Sequence, residues 1–316
     1  MNRNLRNWLI FLAVMASLPF WTLGTVYSQG VVIRALIYVG LAQSWNIIAG
    51  LGGQLSLGHA CFLGIGAYTS GLLFENFGLT PWIGALAGIG AAMLLSFLIG
   101  YPCFRLTGIY FALASFTVSL ILEILARHFD KLTGGDVGLS IRLLGDAPGQ
   151  FQFSDPRYYY FIGLAIVSLY FFITQGILRS RFGYYLKAIR DDQGAAESMG
   201  VDSARVKLVA FAISAFMAAL VGTFYIQYNL FIDPAAAFGM HQSVQILLAS
   251  IAGGIGSLWG PVIGGLFIIP VGEITNALFG KGTPGIDVLI YGAILAIIIL
   301  YIPKGLVSLP GLLRRK

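Results

Sequence analysis

The side chains able to do chemistry in this 316-residue chain are few: thirteen carboxylates, three histidines and two cysteines. His59, His128 and His241 are scattered, with no H-E-x-x-H pair and no Cys/His knuckle, which argues against metal catalysis. Cys61 and Cys103 lie in or beside apolar runs and set up no disulfide framework. Asp191-Asp192 followed by Glu197 has the outline of a diphosphate or divalent-metal site, but Arg190 stands beside it and no second acidic cluster exists. A phosphate-cradling loop needs G-x-x-x-x-G-K-[ST]; Gly280-Lys281-Gly282 lacks the upstream glycine and the hydroxyl residue. What remains is one polar island at 179–207, RSRFGYYLKAIRDDQGAAESMGVDSARVK, with six basic and four acidic groups between long apolar segments. Its chemistry is recognition: a charged, helix-competent loop of this size must meet something in water.

The elements that position it are membrane helices. The chain is 58% hydrophobic and 10% charged, against roughly 25% charged in soluble domains, so it cannot clothe itself in a polar surface. Ten segments approach the ~20 apolar residues of a span: 8–26, 31–49, 55–74, 82–101, 108–126, 158–178, 208–228, 241–258, 262–279 and 286–302. With the N-terminus inside, thirteen of the nineteen Lys and Arg residues fall on the inner side and six on the outer. That bias predicts an all-α polytopic protein of about ten spans with both termini cytoplasmic, eight spans plus re-entrant segments being the other arrangement. The first apolar run continues to about Val26 without a small-x-small cleavage site, so it is read as a retained span. The formal charge of +6 sits at span ends, where the positive-inside bias wants it, and is no nucleic-acid footprint; the lipid bilayer is a partner of the chain as a whole. Residues 1–316 form a single membrane domain, with 179–207 as its cytoplasmic loop and 127–157, rich in Gly, Pro and Asp, as its longest outer loop. Tyr158-Tyr159-Tyr160 re-enters the bilayer as an aromatic anchor.

Within the island, Asp191 or Asp192 can cap a short helix, Ala195, Ala196 and Glu197 propagate it, and Gly200 suits its left-handed end. Asp202 or Ser203 can cap the membrane helix that follows. Two readings stand: a solvated linker with good caps, or a rigid surface helix with small alanines open to a partner. Gln54, Ser56 and His59 are polar groups among glycines that permit irregular backbone, which is tolerated at membrane depth where it is buried in protein or lines a cavity. They line a substrate pathway or they sit satisfied in helix packing. Glu123 and Arg127 have the spacing of a local ion pair. Glu273, just beyond Pro270, faces another helix or the inner cavity. Gly84 with Gly88, and Gly260 with Gly264, are small-xxx-small pairs suited to close helix packing.

Five segments, in order, carry a resemblance over nearly the whole chain: GGQLSLGHACFLGIGAY (52–68), RLTGIYFALAS (105–115), TGGDVGL (133–139), GGIGSLWGPVIGG (253–265) and IPKGL (302–306). Together with GAAESMG (194–200), the chain resembles the permeases of branched-chain amino-acid ABC importers, the Liv-type systems, and most of all their M-type subunit. In that family a Glu-Ala-Ala…Gly loop docks on the cytoplasmic ATPase. This chain has Gly194 where the pattern carries its first Glu, so the contact leans on Ala195, Ala196, Glu197 and Gly200, led in by Arg190, Asp191 and Asp192. The resemblance implies a bacterial inner-membrane, multi-pass permease pairing with a second homologous permease, two cytoplasmic ATP-binding subunits and an extracytoplasmic substrate-binding protein. No cofactor is expected on this chain, which is not itself an enzyme; ATP is hydrolysed by its partners. The implied cargo is leucine, isoleucine or valine, with Gln54, Ser56, His59 and Glu273 as candidate pathway residues. Same-family permeases for urea, short amides or other amino acids are the alternative. An integral-membrane enzyme would predict facing acid or His clusters, and a secondary transporter paired intramembrane charges.

Overall fold

Helix starts are written locally. Thr80 before Pro81, Asp155 before Pro156 and Asp233 before Pro234 each place a side-chain oxygen on a first-turn amide and a proline at the first helical position. A computed structural model describes residues 3–21, 26–104, 108–279, 290, 292–293, 296–297, 300–302 and 305–308. Most of the expected tenth span at 286–302 lies outside these residues, as do the last expected residues of the first span, Arg105, Lys281, Lys304 and 314–316.

The described helices are α1 (Arg3–Trp21), α2 (Val26–Trp45), α3 (Ala60–Phe77), α4 (Pro81–Cys103), α5 (Ile109–His128), the single turn α6 (Asp130–Thr133), α7 (Pro156–Arg179), α8 (Arg181–Asp191), α9 (Gln193–Ser198), α10 (Ser203–Asn229), α11 (Pro234–Phe238), α12 (Met240–Gly254) and α13 (Gly260–Phe279). α2 continues into a wider, π-type turn over Asn46–Leu51. A two-stranded antiparallel pair joins β1 (Leu139–Ser140) to β2 (Phe231–Ile232), Leu139 opposite Ile232. The protein is thus a helical, multi-pass membrane protein. Among the described residues, seven stretches are long and apolar enough to cross a bilayer: Tyr27–Leu51, Pro81–Cys103, Ile109–His128, Pro156–Arg179, Ser203–Asn229, Pro234–Gly254 and Gly260–Leu278.

α10 is the centre, packed against α3, α4 and α2, while α13 and α7 close on α2 and α12 on α13. Trp8 of α1 stacks on Phe171 of α7 with ring centroids 3.8 Å apart. The expected third span at 55–74 differs most. Residues 52–59 are not helical, and α3 begins at Ala60. Protein surrounds α3 on nearly every side, which is why its Tyr68, Ser70 and glycines are tolerated where lipid would not accept them. A Cβ at Gly66 would collide with the Ala219 carbonyl, and one at Gly222 with that of Leu63. Gly84 and Gly88 likewise let α4 reach Ser70 and Gly66, and Gly264 lets α13 approach Ala249, so these glycines serve close helix packing.

The elements sort to two ends. At one, Thr80 donates to the Gly149 carbonyl (2.6 Å), the Arg142 amide to Glu75 (2.8 Å), and Arg127 pairs with both Glu123 (2.8 Å) and Asp136. The expected local pair of Glu123 and Arg127 therefore forms, and 127–157 is an ordered cap tied to α3, α4 and α10. At the other end lie the turn after α2, the 180–202 segment and the α12–α13 turn, joined as described next.

Candidate functional site: a pinned surface helix and the polar segment beneath it

The 180–202 segment is built from caps. Ser180 accepts from the Gly183 amide (3.3 Å) to start α8, whose Gly183, Leu186 and Ile189 are buried. Of the two aspartates expected to cap the next helix, Asp192 does so, accepting from the Ala195 amide (3.0 Å). Gly200 adopts φ 86°, the left-handed conformation that closes α9, and the Val201 amide returns to the Ala196 carbonyl (3.1 Å). Asp202, not Ser203, caps α10 through the Arg205 amide (3.0 Å).

Side-chain bonds then fix the rotation of α9. Lys207, fully buried at the start of α10, donates to Gln193 Oε1 (2.6 Å). Gln193 Nε2 donates to Glu197 Oε1 (2.8 Å), and the Ser203 hydroxyl donates to the same oxygen. The Ser203 hydrogen bond first, then that of Gln193, hold the Glu197 carboxyl below the usual carboxylate range. Glu197 is therefore engaged within the chain. Ala196 is turned inward, 5% exposed, which corrects the expectation that both alanines lie open to a partner. Ala195 remains exposed, and Met199, which the sequence reading passed over, stands 85% exposed at the tip. Asp191 and Asp192 are also exposed. Arg190 pairs with Asp191 (3.3 Å) but its Nη1 reaches inward to the Gly50 carbonyl (3.1 Å).

Beneath this lies the irregular 52–59 segment. Ser44 Oγ and His59 Nε2 are 2.9 Å apart, and Ser214 Oγ of α10 lies 3.5 Å from the same nitrogen. Trp45 Nε1 donates to the Ser56 carbonyl (2.8 Å), and the Leu57 amide to Ser115 Oγ (3.1 Å). Gln54, Ser56 and His59 are all buried, while Gly53 and Leu55 between and beside them are exposed. Gln54 Oε1, Ser56 Oγ and His59 Nδ1 have no hydrogen-bond partner among the described residues and keep capacity for a polar ligand. Glu273 is not part of this group. Its carboxylate lies 2.9 Å from Arg34 Nε, an ion pair that is Coulombic in kind, since the N–H is not aimed for a hydrogen bond. Arg34 is twelve residues from Asn46, about 18 Å along α2. Among the described residues no three His, Cys, Asp or Glu side chains converge as a metal set.

The chain is thus a multi-span helical domain with a capped, side-chain-locked helix displayed at one end. Residues 27–300 match the family model described as "Branched-chain amino acid transport system / permease component". The chain belongs to that family. It is 30% identical over 297 residues to the high-affinity branched-chain amino acid transport system permease protein LivM of Escherichia coli, covering 87% of this chain and 68% of that protein. It is 27% identical over 303 residues to the corresponding LivH of Salmonella typhimurium, covering 92% and 93%. A probable LivM of Methanocaldococcus jannaschii is 22% identical over 300 residues, covering 85% and 86%.

Proposed function

We propose that this chain is the permease subunit of an ATP-driven importer of branched-chain amino acids. The observation that carries the reading, given the family, is α9. It is capped at both ends, locked by Lys207, Gln193, Glu197 and Ser203, and offers Ala195 and Met199 outward. A helix so fixed moves with α10 as a body, so a push on it becomes a displacement of membrane helices. ATP-binding subunits would press on this end, closing on ATP, while an extracytoplasmic binding protein delivers leucine, isoleucine or valine to the opposite end. The loop's Arg179, Arg181, Lys187, Arg190 and Arg205 support a cytoplasmic location for its end by the positive-inside bias. The reading retains ten spans, cytoplasmic termini, a second permease and a plasma-membrane location. The absence of a P-loop motif from the sequence supports ATP hydrolysis by partner subunits, and the reading assigns no cofactor to this chain.

In the same reading, the unpaired polar atoms of Gln54, Ser56 and His59 would accept the ammonium or carboxylate of a zwitterion when the spans part. The test replaces Ala195 or Met199 with Asp in the assembled complex. Each variant is expected to lower co-purified ATP-binding subunit and leucine uptake by about thirtyfold, the scale of an interface hot spot. Uptake and subunit recruitment equal to wild type in both would refute docking at α9. Competition of uptake by urea, acetamide and other amino acids separates the same-family alternatives.

A further inference from the structure

α8 and the membrane breaks beneath it meet at one point. Arg190 Nη1 donates to the carbonyl of Gly50, in the π-type turn that ends α2 (3.1 Å). The same α2 end is tied to the α12–α13 turn by one side chain. Asn46 Oδ1 accepts from the Gly256 amide (2.8 Å), and its Nδ2 donates to the Ser257 carbonyl (3.0 Å). The backbones are too close to admit side chains. A Cβ at Gly53, which has φ 69°, would stand 2.8 Å from Arg190 Cγ and 3.1 Å from its Cα. One at Gly256, φ 72°, would stand 2.9 Å from Arg190 Nη1 and 2.7 Å from the Gly50 carbonyl. Two breaks in different membrane helices, 140 and 66 residues from Arg190 in sequence, are thus gathered under one guanidinium.

We propose that Arg190 is a positioning residue, a strut that carries displacement of α8 and α9 into the ends of α2 and α12, and not a docking contact for the partner. The inference rests on the ATP-driven reading above for what moves the loop, but the strut itself is a property of this chain. The physical reason is directional. A guanidinium can bond a carbonyl and a carboxylate together, and it holds Gly50 on one side and Asp191 on the other. With Gly53 packed on its stem, α8 cannot shift without moving the π-type turn or breaking a charge-assisted bond. Asn46 then passes the same displacement to Gly256 and Ser257.

Arg190→Gln and Arg190→Lys are made in the full complex, with Asn46→Ala as the second joint. Two readouts are taken. The first is amide hydrogen exchange over 46–56 and 254–258 of this chain within the purified, membrane-embedded complex; the second is leucine taken up per ATP hydrolysed, with co-purified ATP-binding subunit as a control. Exchange at both breaks is expected to rise by about tenfold in Arg190→Gln, the effect of losing one hydrogen bond to a charged group. Uptake per ATP is expected to fall by a similar factor with the ATP-binding subunit still bound. Arg190→Lys, which keeps the charge without the fork, is expected to fall between wild type and Arg190→Gln. Unchanged exchange, or loss of the ATP-binding subunit with unchanged exchange, would overturn the strut. If wild type shows no ATP-driven uptake, the importer reading fails, while the exchange data still decide the strut.

Discussion

Lys207 is the residue on which the loop turns. It is a fully buried ammonium whose Nζ donates to Gln193 Oε1, so its partner is a neutral amide beside a carboxylate. Gln193→Leu removes that acceptor at nearly constant volume. We expect a loss of about 1–3 kcal/mol in the stability of the α9–α10 junction, read as a lower Tm in detergent. The Glu197 carboxyl is held down by Ser203 and Gln193, so its contribution is present above the ordinary carboxylate pKa and disappears as pH falls through the lowered one. A spin label at Ala195→Cys should therefore gain mobility on acidification, and Glu197→Gln should flatten that dependence.

At the scale of elements, the ion pair between α2 and α13 is the joint most open to measurement. Breaking a fully buried pair costs about 3–5 kcal/mol, and Arg34 and Glu273 are partly exposed, so Glu273→Gln should cost less, about 1–2 kcal/mol. Arg34→Met with Glu273→Leu should recover most of that loss, because no charge is then left without its counter-ion. A Glu273→Gln variant as stable as wild type would show that the pair holds nothing. The α3–α10 crossing is stricter. Gly66→Val places a branched side chain against the Ala219 carbonyl, and overpacking of this kind costs typically 1–3 kcal/mol. Helix separation, seen as lost expression of folded protein, is the expected outcome.

For the whole molecule, the two ends must face different compartments. With the native cysteines replaced, a cysteine at Gly149 should react with an impermeant maleimide in intact cells. One at Met199 should react only after the membrane is opened, given the basic residues beside it. Labelling of the Met199 position from outside with the Gly149 position protected would invert the topology and with it the direction in which an ATP-binding subunit approaches.

The membrane class, most spans, the aspartate caps and the left-handed Gly200 were legible because each is local: an apolar run, or an oxygen within three residues of the amide it caps. The choice of Asp192 over Asp191, and of Asp202 over Ser203, needed backbone geometry. So did the non-helical 52–59 segment, whose glycines signal a break without saying where it ends. The facing of α9 lay further out of reach. Ala195 and Ala196 are the same residue type side by side, and the bonds of Gln193 and Glu197 to Lys207 and Ser203, fourteen and six positions on, hold the helix with Ala196 inward. The Arg34–Glu273 pair and the convergence of Arg190, Asn46 and Gly256 join residues from 66 to 239 positions apart, where hydrogen-bond and Coulomb distances exist only after the helices have packed. Sequence by itself therefore determined what this protein is made of and where it resides. Which polar groups face a partner, and which brace the interior, was decided by tertiary packing.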